Sequence, residues 1–216
     1  FTVVSTELQT EGKGQRGSGW TSETGKNLAF SVLYNQKIEE IASLFTLNII
    51  VALSVVEGLK TVSNLNFAIK WPNDILAENK KIAGILIENT FKNSNEVQSI
   101  IGIGLNVNQS QFENLPQASS LFLLENQLFD RNALLISIVN RLEFNLNQLE
   151  NLKEDYFWNT YHAILFKKEV VSTFESALGN RFVGKIQKVT KDGKLEVLLE
   201  DDSVTFFDVK EVKMLY

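Results

Sequence analysis

Apolar positions come in short, strand-sized blocks at both ends of the chain and recur at helical spacing in between. "FTVVSTEL" (residues 1–8) predicts a short strand. "NLAFSVLY" (27–34) predicts a second, apolar enough to be buried on both faces. Residues 37–59 run without proline, and without glycine until Gly58. Ile38, Ile41, Phe45, Val51 and Val55 share one helical face there, and the remaining positions are apolar enough for a buried helix. "NFAIKW", "KIAGILIE" and "VQSIIGIGLNVN" predict three further strands. Residues 131–150 predict an amphipathic helix with a stripe of Leu135, Ile138, Leu142, Leu146 and Leu149, N-capped by Asp130. From about residue 165 the apolar runs shorten and turn signals separate them. Asp192-Gly193 in "KDGK" predicts a two-residue hairpin, and "EDDS" (200–203) the next turn. The pattern is that of an α/β body over residues 1–164 and a small β domain over 165–216.

Composition narrows the chemistry. The 216 residues are enough for one sizeable core, or for a large domain plus a small one. At 44% apolar and 22% charged, the chain is ordinary for a globular protein. The net charge of −5 argues against binding nucleic acid or anionic lipid through overall charge, while a local cationic site stays open. The absence of cysteine excludes disulfides, thiol catalysis and zinc-thiolate sites, and fits a cytoplasmic setting. The most apolar stretch, residues 44–56, is too short for a membrane span and is interrupted by Thr46, Asn48 and Ser54. The first residues carry no signal-peptide pattern. The chain starts at Phe1, inside a strand, so an upstream piece is expected.

Residues 12–20, "GKGQRGSGW", contain the spacing G-x-G-x-x-G. A dinucleotide fingerprint needs a helix directly afterwards, and "SGWTSETGKN" is a poor helix former. A Walker loop needs a closing G-K-[ST], which is missing. Glycines let backbone N–H groups converge on an anion, Lys13 and Arg16 add charge, and Trp20 offers a flat surface. The loop suits an anionic ligand with a flat or apolar part, but is equally consistent with a solvated surface loop. Three more segments are each weak alone. "KWPND" (70–74) sets Lys70, Asn73 and Asp74 side by side around ordinary turn chemistry. "KKIAGILIE" (80–88) opens a buried strand with two lysines, and "GIGLNVN" (102–108) brings two glycines into an apolar run.

Taken in order, these segments resemble the biotin protein ligase family. The pattern is Gln9-Thr10-x-Gly12-Lys13-Gly14-x-x-Gly17-x-x-Trp20, then Lys70-Trp71-Pro72-Asn73-Asp74, then Lys81-Ile82-Ala83-Gly84-Ile85-Leu86, then Gly102-Ile103-Gly104-Leu105-Asn106. The resemblance covers nearly the whole chain. It implies an α+β catalytic domain with a mixed β-sheet, of the class II aminoacyl-tRNA synthetase type, followed by an SH3-like β-barrel. It implies formation of biotinyl-5′-AMP from biotin and ATP with Mg²⁺, and transfer of biotin to one lysine of a biotin carboxyl carrier domain. By the same resemblance Gln9 bonds biotin, while Gly12, Lys13, Gly14 and Gln15 fold over biotin and phosphate. Trp20 closes over the adenylate, and Asn73 and Asn106 meet the adenine end. Asp74 lies near the phosphates, the metal or the incoming lysine, Lys81 meets the reacting oxygens, and Gly84 and Gly102 belong to the binding site. Lys81, Asp74 and Lys13 are then the catalytic set.

Physics is compatible with those roles. A carboxylate attacking an α-phosphate needs no protein nucleophile, but two anions must be brought together, which positioned cations achieve. In the second step a carboxylate such as Asp74 can orient the incoming amine and take up its proton. Three departures stand out. Gln15 occupies a place where the family commonly has Arg, and holds phosphate less strongly. A Ser-Thr-Asn element of the biotin pocket, about 20 residues before Gln9 in the family, has no counterpart, since Ser5-Thr6 is too close to the loop. No winged helix-turn-helix is present, so a ligase without DNA binding, possible as a homodimer, is expected. Lipoate ligases of the same superfamily and a non-catalytic biotin sensor are the alternatives. The retained Asn73, Asp74, Lys81 and Asn106 favour catalysis. His162, the sole histidine, is expected to pack at the junction before the β domain, with Trp71 and Trp158 in the core.

Overall fold

A computed structural model describes residues 1–17, 19–37, 43–93, 96–148 and 154–216. In chain order the elements are β1 (Thr2–Thr6), β2 (Gly12–Lys13), a 3-10 turn (Gln15–Gly17), β3 (Gly19–Trp20), β4 (Leu28–Lys37), α1 (Ser43–Leu59), β5 (Phe67–Lys70), β6 (Asp74–Ala77), β7 (Lys80–Phe91) and β8 (Glu96–Leu105). They continue with α2 (Leu121–Glu125), α3 (Arg131–Gln148), α4 (Glu154–Ala163), β9 (Val171–Ser176), β10 (Arg181–Val189), β11 (Leu195–Leu199), β12 (Val204–Phe207) and β13 (Val212–Leu215).

Six strands form one sheet in the order β1-β4-β8-β7-β6-β5. A mixed sheet was the expectation from the family resemblance. Here every ladder among the described residues is antiparallel, and β5 to β8 follow one another directly, with no crossover helix between them. Parallel pairing survives only as isolated bridges such as Ile69 to Leu165. The sequence pattern overlooked β6. It is joined to β7 by Glu78 and Asn79, both at positive φ, a two-residue turn of primed type made without glycine.

Helix α1 is buried all round, as its composition predicts: Ile49, Ile50, Val51, Ala52 and Val55 have no exposed surface. It contacts β5, β6 and β7 on the sheet side and α3 and α4 on the other. Its start differs from the expectation. Lys37 belongs to β4, whose ladder with β8 runs on to Lys37 opposite Glu96, and Ile38 and Ile41 lie outside the described residues. In α3 the fully buried stripe is Leu134, Ile138, Leu142, Asn145 and Leu146, while Leu135 is only partly buried and Leu149 is outside the described residues. One turn of a helix presents both Leu134 and Leu135, and the tertiary contact with α1 chooses between them. Buried Asn145 is satisfied by Ser54 Oγ and Glu57 Oε2, each at 3.0 Å. Asp130 does cap α3, accepting from the amides of Asn132 and Ala133.

The last five strands form an antiparallel sheet ordered β12-β11-β10-β9-β13, as the expected small β domain requires. The β10–β11 turn is longer than predicted. Thr190 N–H donates to Lys194 C=O at 2.9 Å, enclosing three residues, with Gly193 at φ +87°. Asp192-Gly193 therefore supplies the tail of a three-residue loop rather than a two-residue turn. Trp71 and Trp158 are both buried, and one apolar cluster runs from α1 through the large sheet into Phe174, Ile186 and Val197 of the small one.

Candidate active site

Strands β7 and β8 place glycines opposite each other, Gly84 against Gly104, and Gly84 also faces Asp74 of β6. Over this bare patch lies the indole of Trp20. A Cβ on Gly104 would stand 2.6 Å from the Trp20 ring, so only glycine permits that approach. The indole is carried there by the β2–β3 pair, with Gly12 opposite Trp20 and Lys13 opposite Gly19. The glycine stretch is thus a miniature hairpin with a 3-10 turn, and no helix follows it, which disposes of the dinucleotide reading. The Trp20 N–H is buried without a hydrogen-bond partner among the described residues.

Two cavities adjoin at this point, of about 600 and 540 Å³. The first is lined by Gln9, Lys13, Gly14 and Gln15 from the loop, and by Asn73, Gly84 and Gly102 from the sheet. Phe30, Leu86 and Ile103 give it an apolar wall. The second is lined by Asn106, by the segment from Phe112 to Ala118, and by Leu215 and Tyr216. Trp20, Lys70, Asp74, Lys81 and Lys213 line both. Of the residues singled out in the sequence, Gly12 lines neither cavity, although it pairs with Trp20. Asn73 and Asn106, assigned together to one end of a ligand, lie on different cavities. Asn73 Nδ2 donates to Ile85 C=O, and Asn106 Nδ2 to Ser119 C=O at 3.0 Å. Their amides therefore hold the walls in place.

At the junction Lys81 Nζ is 2.6 Å from Asp74 Oδ1, and Lys70 Nζ is 3.9 Å from Asp74 Oδ2. Lys70 Nζ also stands 4.9 Å over the Tyr216 ring. Burial pushes the Lys70 ammonium below the ordinary lysine value. Asp74 works against that shift, while Lys81 and Lys213 add to it. Burial, and then the Asp74 charge, push the Tyr216 phenol up. Of the residues here, Asp74 is the carboxylate that would meet a Mg²⁺ brought in on substrate phosphates. Asp74 faces two ammonium groups, and no trio of acidic or histidine side chains gathers anywhere among the described residues.

Sequence reasoning noted Lys70 beside Asp74 but assigned it no role, and it missed Lys213 and Tyr216. Those two come from β13 and the residue after it, more than 130 positions beyond the lysines they join, and carry no local signal. His162 stands away from both cavities. Its Nε2 lies 3.1 Å from the backbone N and O of Val189, at the junction expected for it.

Residues 2–106 match the sequence model of the biotin/lipoate A/B protein ligase family. The bifunctional ligase/repressor BirA of Bacillus spizizenii is 28% identical over 221 aligned residues, covering 100% of this chain and 64% of that protein. The biotin–[acetyl-CoA-carboxylase] ligase of Mycobacterium tuberculosis is 32% identical over 69% of this chain and 55% of that protein. This chain thus spans a little over half to under two thirds of the length of these relatives. The biotin protein ligase from Aquifex aeolicus, solved in complex with biotin and ATP, superposes with a TM-score of 0.81 at 25% identity, over 99% of this chain and 88% of that one. A glycine hairpin laid over a glycine floor, two cavities meeting at paired lysines and these likenesses agree: residues 2–106 match the biotin/lipoate A/B protein ligase family, and the chain has the fold of a biotin protein ligase.

Proposed function

We propose that this protein joins biotin to ATP as biotinyl-5′-AMP and then passes the biotinyl group to a lysine of a carrier domain in a biotin-dependent carboxylase. The observation that supports this most is the Lys70–Asp74–Lys81 cluster on the boundary shared by both cavities. Biotin occupies the first cavity, with its carboxylate directed to the boundary. The nucleotide occupies the second, with its α-phosphate directed to the same place. Lys81 and Lys70 offset the repulsion between the two anions, and Lys13 approaches from the loop.

In the first step a biotin carboxylate oxygen attacks the α-phosphorus, a new O–P bond forms, and the bond to pyrophosphate breaks. Mg²⁺ bound to the phosphates of ATP would screen their charge. In the second step the amine of the carrier lysine attacks the acyl carbon. A C–N bond forms, AMP leaves, and the lysine proton passes to Asp74 once Lys81 has shifted to the departing phosphate. Trp20 covers the adenylate, and its unpartnered N–H is available to an acceptor on the ligand. The reaction suits the cytoplasm, where ATP is at hand. No helix among the described residues is long and apolar enough to cross a membrane.

The test is mass spectrometry of the protein incubated with ATP, Mg²⁺ and either biotin or lipoate, followed by addition of a carrier domain. Biotinyl-AMP and then a biotinylated carrier are expected. Formation of lipoyl-AMP alone, or of neither adenylate, refutes the reading.

A further inference from the structure

The turn Trp71-Pro72-Asn73 joins β5 to β6, and the residues at its two ends, Lys70 and Asp74, are register partners and members of the junction cluster. Whatever fixes this turn therefore fixes the distance between the cluster's charges. Two of its attachments come from the surrounding body. Asn48 Nδ2 of α1 donates to Pro72 C=O at 2.8 Å, and Asn73 C=O accepts from the Ile85 N–H of β7 at 3.1 Å. The third comes from the other sheet. Trp71 Nε1–H donates to Gly193 C=O at 2.9 Å, at the tip of the β10–β11 hairpin.

Gly193 is built for this contact twice over. Its φ of +87° is a left-handed conformation that residues with a side chain rarely adopt. A Cβ there would also fall 2.5 Å from Cδ2 of Phe45 in α1. The hairpin tip is thus seated against α1, and the His162 ring of α4 meets its base at Val189. Turn chemistry alone explains a glycine at positive φ. It does not explain the buried bond to an indole next to the reacting groups.

We propose that the loop of residues 190–194 is a positioning element for the junction cluster. It acts through Trp71, so that the loop sets the placement of Lys70 and Asp74 without itself lining either cavity. The proposal rests on the biotin-activating reading above. It assigns Gly193 a role in turnover and none in holding biotin, because Gly193 lines neither cavity, whereas Gln9, Phe30, Leu86 and Gly102 line the first. Misplacing reacting groups by about 1 Å costs up to about 100-fold in rate.

The experiment uses the whole chain with Trp71→Phe, which keeps a ring and removes the donor, and with Gly193→Ala. Biotin-dependent release of pyrophosphate gives kcat and the KM for biotin. The chain has three tryptophans, so a ¹⁵N spectrum holds three indole N–H signals, and Trp71→Phe identifies one of them. The Trp71 signal should exchange slowly with water in the wild type and quickly in Gly193→Ala. Both variants should lose about 10- to 100-fold in kcat, with the biotin KM changed by less than about twofold. Unchanged kcat in either folded variant overturns the proposal, as does a loss carried wholly by KM. Should Gly193→Ala not fold, Trp71→Phe decides. A wild type that makes no adenylate refutes the functional reading alone, because indole exchange still reports whether the loop holds Trp71. Fast exchange in the wild type refutes the positioning role alone.

Discussion

Replacing Lys81 with alanine separates catalysis from stability. Its Nζ makes a 2.6 Å ion pair with Asp74, but its side chain is 34% exposed against 16% for Asp74. A partly exposed pair of this kind contributes no more than about 1 kcal/mol to folding. For a chain of this size that is a fall of about 2–4 °C in melting temperature. The same ammonium faces a developing pyrophosphate in the proposed reaction, where a charge-assisted hydrogen bond is worth about 1.5–3 kcal/mol. That converts to about 10- to 150-fold in kcat/KM for adenylate formation. Lys80 is the internal control. It is adjacent in sequence, but its Nζ donates to Pro116 C=O at 2.7 Å and lines neither cavity. Pyrophosphate release and calorimetric melting, measured on Lys81→Ala and Lys80→Ala side by side, check the argument. A Lys81→Ala variant with wild-type turnover, or a larger loss in Lys80→Ala, refutes it. So does a melting temperature so low that unfolding alone accounts for the lost rate.

Three further outcomes follow from the geometry. Burial, aided by Lys168 and Lys188 and opposed by the Val189 hydrogen bond, holds the His162 imidazole below its ordinary value. As pH falls through 6.5 the unfolded chain takes up a proton that the folded chain refuses, so stability declines until the lower folded value is passed. His162→Gln should flatten the fall in melting temperature between about pH 7 and 5, and an identical slope would contradict this. Gly58→Ala in α1 would ordinarily gain about 1 kcal/mol of helix propensity. Here the new Cβ would lie 2.9 Å from Ile138 Cα and 3.0 Å from Ile138 N, backbone atoms that cannot step aside, so the variant should melt several degrees lower. An equal or higher melting point would show that α3 yields. Residues 12–25 hold five glycines and only a two-residue ladder between β2 and β3, so biotin with ATP should slow tryptic cleavage at Lys13 and Lys26 by closing the loop over the adenylate. Equal digestion rates with and without ligand would end the lid idea.

Much of this was legible in the sequence because it rests on local chemistry. The apolar run from Leu44 to Val56 determined a buried helix whatever surrounded it, since no other placement removes so much apolar surface from water. Asp130 determined where α3 begins, because a carboxylate two and three residues before free amides caps them. The loop from Gly12 to Trp20 and the segment from Asp74 to Gly84 were recognisable as motifs, each of them short. Other features depended on residues far apart in the chain. Strand β6 was not predicted, and it exists through its turn at Glu78-Asn79, which closes it on β7. Leu134 rather than Leu135 became the core residue because α1 lies on that side. Lys213 and Tyr216 reached the junction only because β13 folds back beside β9. The antiparallel sheet, the second cavity and the Trp71 to Gly193 bond likewise exist only once distant segments meet. Short-range periodicity and capping specify an element's type and its ends. Which face is buried, and which charges share a cavity, is decided by packing between elements that the linear pattern does not pair.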